Sequence, residues 1–272
     1  MELITSDGIK INFEVSGKGK PVIFIHGWTM DQSVYFYQQK ELKEYQIITV
    51  DLRGHGASDK SEPIDLSFPR MGKDIAELIS SLPITSPAIA GWSMGVSIIL
   101  SSIDTLQPLA GSFIFLSGTP KFIAGDNLSF GMRATIANRL ADNIKTDYQP
   151  ALSNFYQLIY HSECVNKEEK KMLESLFNKL PGLTPQTVAQ KTLEHLYEAD
   201  YRDLLKKILV PTLIISGTLD KICSPAASEY MAKLISNCAF EPIPDAGHMP
   251  FLTKSEQCNT IIKDFLNHLY AP

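Results

Sequence analysis

A chain of 272 residues, 44% apolar and 20% charged, is long enough to bury one large core and lacks the composition that keeps chains disordered. The formal net charge of −5, with no dense stripe of Lys and Arg, excludes a general nucleic-acid binder. No run of about 18 apolar residues offers a membrane span, so the expected partner is a small molecule or a local docking surface.

The residues up to Val15 alternate apolar and polar side chains and show neither the basic nor the apolar region of a secretory leader, so a cytoplasmic location is expected. Cys164, Cys223, Cys238 and Cys258 are scattered without metal-ligand spacing and are expected to be free thiols there. Residues 2–5 and 10–15, around a turn at Asp7-Gly8, predict an antiparallel hairpin at a sheet edge. Val22-Ile23-Phe24-Ile25 is a short continuous apolar run, the pattern of a strand buried on both faces. Runs of the same kind follow at 47–50, 87–90 and 113–116, with a late pair at 212–215 and 240–243.

Between them lie segments of helical period: Met71-Ile75-Leu78-Ile79, Ile98-Ile99-Ser102-Ile103 and, last, residues 261–269. Buried strands alternating with helices predict an α/β fold, a mostly parallel sheet covered on both faces. The rhythm stops from 121 to 205, where Met132-Ile136-Leu140, Leu152-Phe155-Leu158-Ile159, Met172-Leu176 and Leu193-Leu196-Tyr197 are helical in character. The expected organisation is a core of 1–120 and 206–272 with a helical cap at 121–205.

Gly91-Trp92-Ser93-Met94-Gly95 is a G-x-S-x-G directly after a buried strand and before a helical segment. Such an elbow needs small residues two before and two after the serine, because larger ones collide across the turn. It presents Ser93 at a helix N-terminus, where free N–H groups favour a developing anion. The strand at 22–25 ends in His26-Gly27-Trp28, a loop whose Trp28 N–H is expected to join that of Met94 as an oxyanion hole, with His26 bracing the loop. Gly247-His248, on a loop after the last strand, is the candidate general base.

Asp220, after the penultimate strand, is the candidate acid that orients His248; the strand ending at Leu116 leads into Ser117-Gly118-Thr119-Pro120, which offers no carboxylate. Asp245 is expected to face solvent in a turn. His55, His161, His195 and His268 lack metal spacing and are expected in structural or surface roles, and no metal or cofactor is implied. The glycine-rich stretch from Asp51 to Ser58 lacks a phosphate-binding pattern and is expected to pack beside the oxyanion loop.

Together, His26-Gly27-Trp28, Asp51-Leu52-Arg53-Gly54-His55-Gly56, Gly91-Trp92-Ser93-Met94-Gly95, Asp220 and Gly247-His248 resemble the α/β-hydrolase superfamily over almost the whole chain. Within it the chain is similar to the pimeloyl-[acyl-carrier protein] methyl ester esterases of biotin synthesis. That likeness rests on Gly27-Trp28, on Trp92, on Asp147-Tyr148-Gln149 leading to Phe155, and on Gly247-His248-Met249-Pro250-Phe251. It implies an acyl carrier protein as partner, met in those esterases by arginines on the cap. Here Pro150 and Asn154 stand at the corresponding part of the first cap helix, and only Arg133, Arg139, Lys170 and Lys171 offer a local basic patch.

The reading is hydrolysis of a small-molecule carboxylic ester through an acyl-enzyme, with Trp28, Trp92, Met94 and Phe155 around the acyl chain and a monomer as the default state. A general carboxylesterase, thioesterase, lactonase, C–C hydrolase or perhydrolase uses the same three groups on another bond, and a ligand receptor on this fold is the rival from another class.

Overall fold

The computed structural model describes residues 1–125, 128, 130–160, 163, 165, 167–177 and 184–270, the side chains of Tyr160, Glu168, Glu169 and Tyr270 excepted. His161 and Cys164 lie outside the described residues.

Eight strands form one sheet: β1 (Glu2–Ile4), β2 (Lys10–Ser16), β3 (Pro21–Ile25), β4 (Gln46–Val50), β5 (Ala88–Trp92), β6 (Ser112–Leu116), β7 (Thr212–Gly217) and β8 (Cys238–Ile243), in the order β1-β2-β4-β3-β5-β6-β7-β8. The first hairpin is antiparallel, with Glu2 opposite Asn12, and β2 pairs antiparallel with β4; every later pairing is parallel. All residues of β3, β5, β6 and β7 are buried, which is why those strands read as continuous apolar runs.

The helices are α1 (Phe36–Glu41), α2 (Phe68–Ser81), α3 (Met94–Ser101), α4 (Ile103–Leu106), α5 (Ala134–Thr146), α6 (Tyr148–Tyr160), α7 (Lys167–Phe177), α8 (Gln186–Glu198), α9 (Pro225–Leu234), α10 (Pro250–Thr253) and α11 (Ser255–Tyr270). The segment around Ile98 and Ile103 is two helices, not one. It divides at Ser102, whose φ of −119° and ψ of 23° leave the helical region. Gly72 of α2 packs against that corner so closely that a Cβ there would lie 1.9 Å from the Ser102 hydroxyl oxygen.

Two features of this topology place the site. The chain runs from β3 to β4 on one side and then to β5 on the other, so the carboxyl ends of β3 and β5 flank a topological switch point, where α/β sheets open a crevice. Ile25 is level with Gly91 across that pair, and Ile215 with Glu241 across β7 and β8, so each pair of strands delivers its loops at one height. Helices α5–α8 are inserted between β6 and β7. Their two ends are held together by the Tyr201 N–H to the Pro120 carbonyl at 2.8 Å and by the Lys121–Asp200 ion pair at 2.8 Å.

The loop after β4 anchors a polar network around a buried arginine. Arg53 is fully buried and donates from Nε and Nη2 to the Asp74 carboxylate of α2 at 2.6 and 2.7 Å, and from Nη1 and Nη2 to Asp7 in the β1–β2 turn at 3.0 and 3.1 Å. Arg70 adds a bond to Asp74 at 2.6 Å. A buried guanidinium is tolerable only with its donors satisfied, and here it joins a turn, a loop and a helix.

Candidate active site

Ser93 sits between the end of β5 and the first residue of α3 with φ 53° and ψ −111°, a backbone that L-residues rarely adopt. The elbow is enforced by contact as well: a Cβ on Gly95 would lie 2.4 Å from the Ile25 carbonyl oxygen of β3. The Ser93 N–H is held by the Leu116 carbonyl at 3.0 Å, which ties the elbow to the end of β6.

The structure brings His248 and Asp220 to that hydroxyl. His248 Nε2 is 3.0 Å from Ser93 Oγ, and His248 Nδ1 is 2.8 Å from Asp220 Oδ2. With Nδ1–H donating to the carboxylate, Nε2 is left as the acceptor for the serine proton. The other carboxylate oxygen, Oδ1, accepts the backbone N–H groups of Ile222 and Cys223 at 2.8 and 2.9 Å, which fixes the rotamer of Asp220. Asp245, by contrast, is exposed, with its own N–H donated to the Thr218 hydroxyl at 3.1 Å. Its carboxylate is no part of the relay.

The loop that follows β3 is built around a single peptide plane. The Gly27 carbonyl accepts His26 Nδ1–H at 2.8 Å and the Met30 N–H at 3.3 Å, so it is turned into the protein. In a trans peptide the following N–H points the opposite way, which turns the Trp28 N–H outward. His26 Nε2 accepts the Leu52 N–H at 3.0 Å, so the ring is used on both sides while neutral. Burial pushes the imidazole below the ordinary histidine range and keeps it so. The loop from Asp51 to Ser58 lies against it, with the His55 ring 5.2 Å away. Met94, as the first residue of α3, has no carbonyl one turn back for its N–H.

Of the side chains expected around an acyl chain, Trp28 is buried, donating Nε1–H to the Ala189 carbonyl of α8 at 3.0 Å and meeting Phe155 of α6 edge-on at 5.0 Å. Phe155 also lines a cavity of about 180 Å³ between α5 and α6 with Ile136, Arg139, Leu140 and Leu158. Met94 is fully buried. Trp92 is turned to His248: its Nε1–H donates to the His248 carbonyl at 2.8 Å and its ring packs on Phe251 at 5.3 Å. The indole therefore braces the loop that carries His248.

Several groups at this site were not expected from the sequence. Cys223, expected only as a free thiol, supplies a backbone N–H to Asp220 and sets its side chain against Ser93; burial and then the charge of Asp220 push its thiol well above the ordinary range. The spacing that could have shown it is the carboxylate two and three residues before Ile222 and Cys223, a local turn in which aspartate accepts the next N–H groups. From the inserted α6, the Tyr156 hydroxyl lies 3.2 Å from the Thr29 carbonyl and 3.1 Å from Thr29 Oγ1, and the Ile159 carbonyl accepts the His248 N–H at 3.1 Å. Arg133, Arg139, Lys170 and Lys171 are exposed on α5, its N-terminal flank and α7, and Lys170 is 4.0 Å from Glu174. Pro150 and Asn154 are exposed on α6. Among the described residues no cluster of three His, Cys, Asp or Glu side chains could hold a metal.

A family model described as alpha/beta hydrolase fold matches residues 20–255. The chain is 28% identical over 257 residues to a pimeloyl-[acyl-carrier protein] methyl ester esterase from Methylococcus capsulatus, covering 93% of this chain and 97% of that one. It is 28% identical over 271 residues to an AB hydrolase superfamily protein from Bacillus subtilis, covering 97% of each. An esterase from Exiguobacterium antarcticum superposes with a TM-score of 0.90 at 28% identity, covering 98% of this chain and 99% of that structure.

Proposed function

We propose that this chain, which belongs to the α/β-hydrolase fold family, cleaves carboxylic esters with Ser93 as nucleophile, His248 as general base and Asp220 as the group that orients it. The chain is a carboxylic-ester hydrolase, and the observation that supports this assignment of parts is the relay of 3.0 and 2.8 Å from Ser93 Oγ through the imidazole to Asp220. Ser93 Oγ adds to the ester carbonyl as its proton passes to His248 Nε2. The carbonyl oxygen takes the negative charge and is held by the N–H groups of Trp28 and Met94. The imidazolium, balanced by Asp220, returns its proton to the departing alkoxide, leaving the acyl group on Ser93. Water then repeats the sequence in the same geometry and releases the acid.

In this reading 1–120 and 206–272 carry the relay and 121–205 caps it, with Phe155 and Trp28 nearest the acyl chain. The finer reading is removal of the methyl ester from a pimeloyl chain on an acyl carrier protein. It is supported by the likeness to the Methylococcus capsulatus esterase over nearly the whole chain.

The test is covalent labelling. A fluorophosphonate should modify the wild type at Ser93, and Ser93→Ala should lose both label and ester turnover, the latter by about 10⁴-fold or more. Labelling elsewhere, or full turnover in Ser93→Ala, would refute the nucleophile. Hydrolysis of pimeloyl-carrier-protein methyl ester, run beside a panel of free p-nitrophenyl esters, tests the finer reading; activity confined to short free esters would leave a general carboxylesterase.

A further inference from the structure

We propose that Tyr156, on the inserted helix α6, is a positioning residue for the oxyanion loop: its hydroxyl pins Thr29 and so fixes the direction of the Trp28 N–H. The inference rests on the oxyanion role proposed above for Trp28.

Thr29 has φ 58°, a left-handed conformation that is costly for a β-branched residue and persists only where neighbours hold it. The Thr29 hydroxyl is fully buried and donates to the Trp28 carbonyl at 2.7 Å, which leaves Oγ1 and the Thr29 carbonyl as acceptors. The single Tyr156 proton reaches both, at 3.1 and 3.2 Å, and the Thr184 hydroxyl reaches the same carbonyl at 3.5 Å. Tyr156 is itself 2% exposed and its ring stacks on Phe177 at 5.1 Å, so the hydroxyl cannot swing away to water. Burial raises the phenol well above its ordinary range, so it remains a donor through any working pH.

The geometry around Trp28 is thus held from both sides. His26 and Met30 hold the Gly27 carbonyl before it, and Thr29, through Tyr156, holds the carbonyl after it. Only the second grip comes from the inserted helices. Without it, Thr29 would relax toward negative φ and rotate the loop that presents the N–H. Catalysis depends on donors already aimed at the position of the oxyanion, so the loss should fall on kcat and not on KM.

Tyr156→Phe removes the hydroxyl and keeps the stacking ring. The expected result is a drop in kcat of about 10- to 100-fold with KM unchanged. A structural defect alone would not change the preference for an oxo ester over its thiono counterpart. Loss of an aimed N–H should narrow that ratio, because sulfur accepts hydrogen bonds poorly. Unchanged kcat in Tyr156→Phe, or an unchanged oxo/thiono ratio, overturns the proposal. Should Tyr156→Phe fail to fold, Thr29→Val tests the bond from the other end, because it keeps the branch and deletes Oγ1; full kcat there also overturns it. If instead the wild type is not labelled at Ser93, the acyl-enzyme reading fails, and that is a different outcome from a labelled enzyme indifferent to Tyr156.

Discussion

At Asp220 one oxygen serves the imidazole and the other is occupied by the Ile222 and Cys223 N–H groups. Asp220→Asn would put an NH₂ against one of those partners and favour the wrong imidazole tautomer, so turnover should fall about 10³- to 10⁴-fold. Asp245→Asn, on an exposed turn, should leave turnover within about twofold. Steady-state rates of the two variants decide it, and equal losses would remove Asp220 from its role.

His55 gives a second prediction at this scale. Burial, and then its neighbour His26, push its imidazole from 6.5 down to about 3. Between those values the unfolded chain holds a proton that the folded one does not. The contribution is therefore complete above about pH 6.5 and is lost as pH falls toward 3, by up to ~1.4 kcal/mol per pH unit for this group. His26 is lowered too and acts in the same direction. Urea unfolding of His55→Gln between pH 7 and 4 should show an acid slope smaller by about one proton than that of the wild type.

The site is made where elements end, and the ends of β7 and β8 are fitted without clearance. A Cβ on Gly217 would lie 2.1 Å from the Gly247 carbonyl oxygen, a backbone atom that cannot move aside. Gly217→Ala should drive apart the loops that carry Asp220 and His248, lowering Tm by several degrees and activity by more than 10-fold. Thermal melts and rates measured together test this; an active, equally stable Gly217→Ala would mean the loops tolerate separation.

Elements were legible from sequence to the extent that they were local. The buried runs became β3 to β7 because burial on both faces leaves no alternation to misread, whereas β8, at the sheet edge, is largely exposed, and the elbow was visible because its pattern lies within five consecutive residues. The break at Ser102 was not legible in the helical spacing, and the Gly72 that packs against it lies thirty residues away. Trp92 was expected beside the substrate, but which way a side chain at a strand end turns depends on the loop above it, here the His248 carbonyl. Nor could any spacing reveal that Tyr156 meets Thr29, 127 residues apart.

At the scale of the whole molecule, a carrier-protein partner makes a prediction about the surface. If a carrier protein delivers the ester, its acidic face must meet the exposed Arg133 and Arg139, and the attraction should be screened beyond about 8 Å at physiological ionic strength. Reversing both to Glu should raise KM for the carrier-linked ester severalfold and leave free esters unchanged, with the difference shrinking in high salt. Equal KM values for variant and wild type on the carrier-linked ester would rule out docking at this patch.

The two bonds on the His248 backbone have a consequence for recombination. Its carbonyl is held by Trp92 of β5, but its N–H is held by Ile159 of α6. A chimaera that received a foreign insert in place of 121–205 would inherit a histidine with one of its two anchors missing. Exchange of inserts between relatives, whether by evolution or in the laboratory, is therefore constrained at the last turn of α6, where a carbonyl must arrive at one fixed point whatever substrate the rest of the insert is shaped to admit.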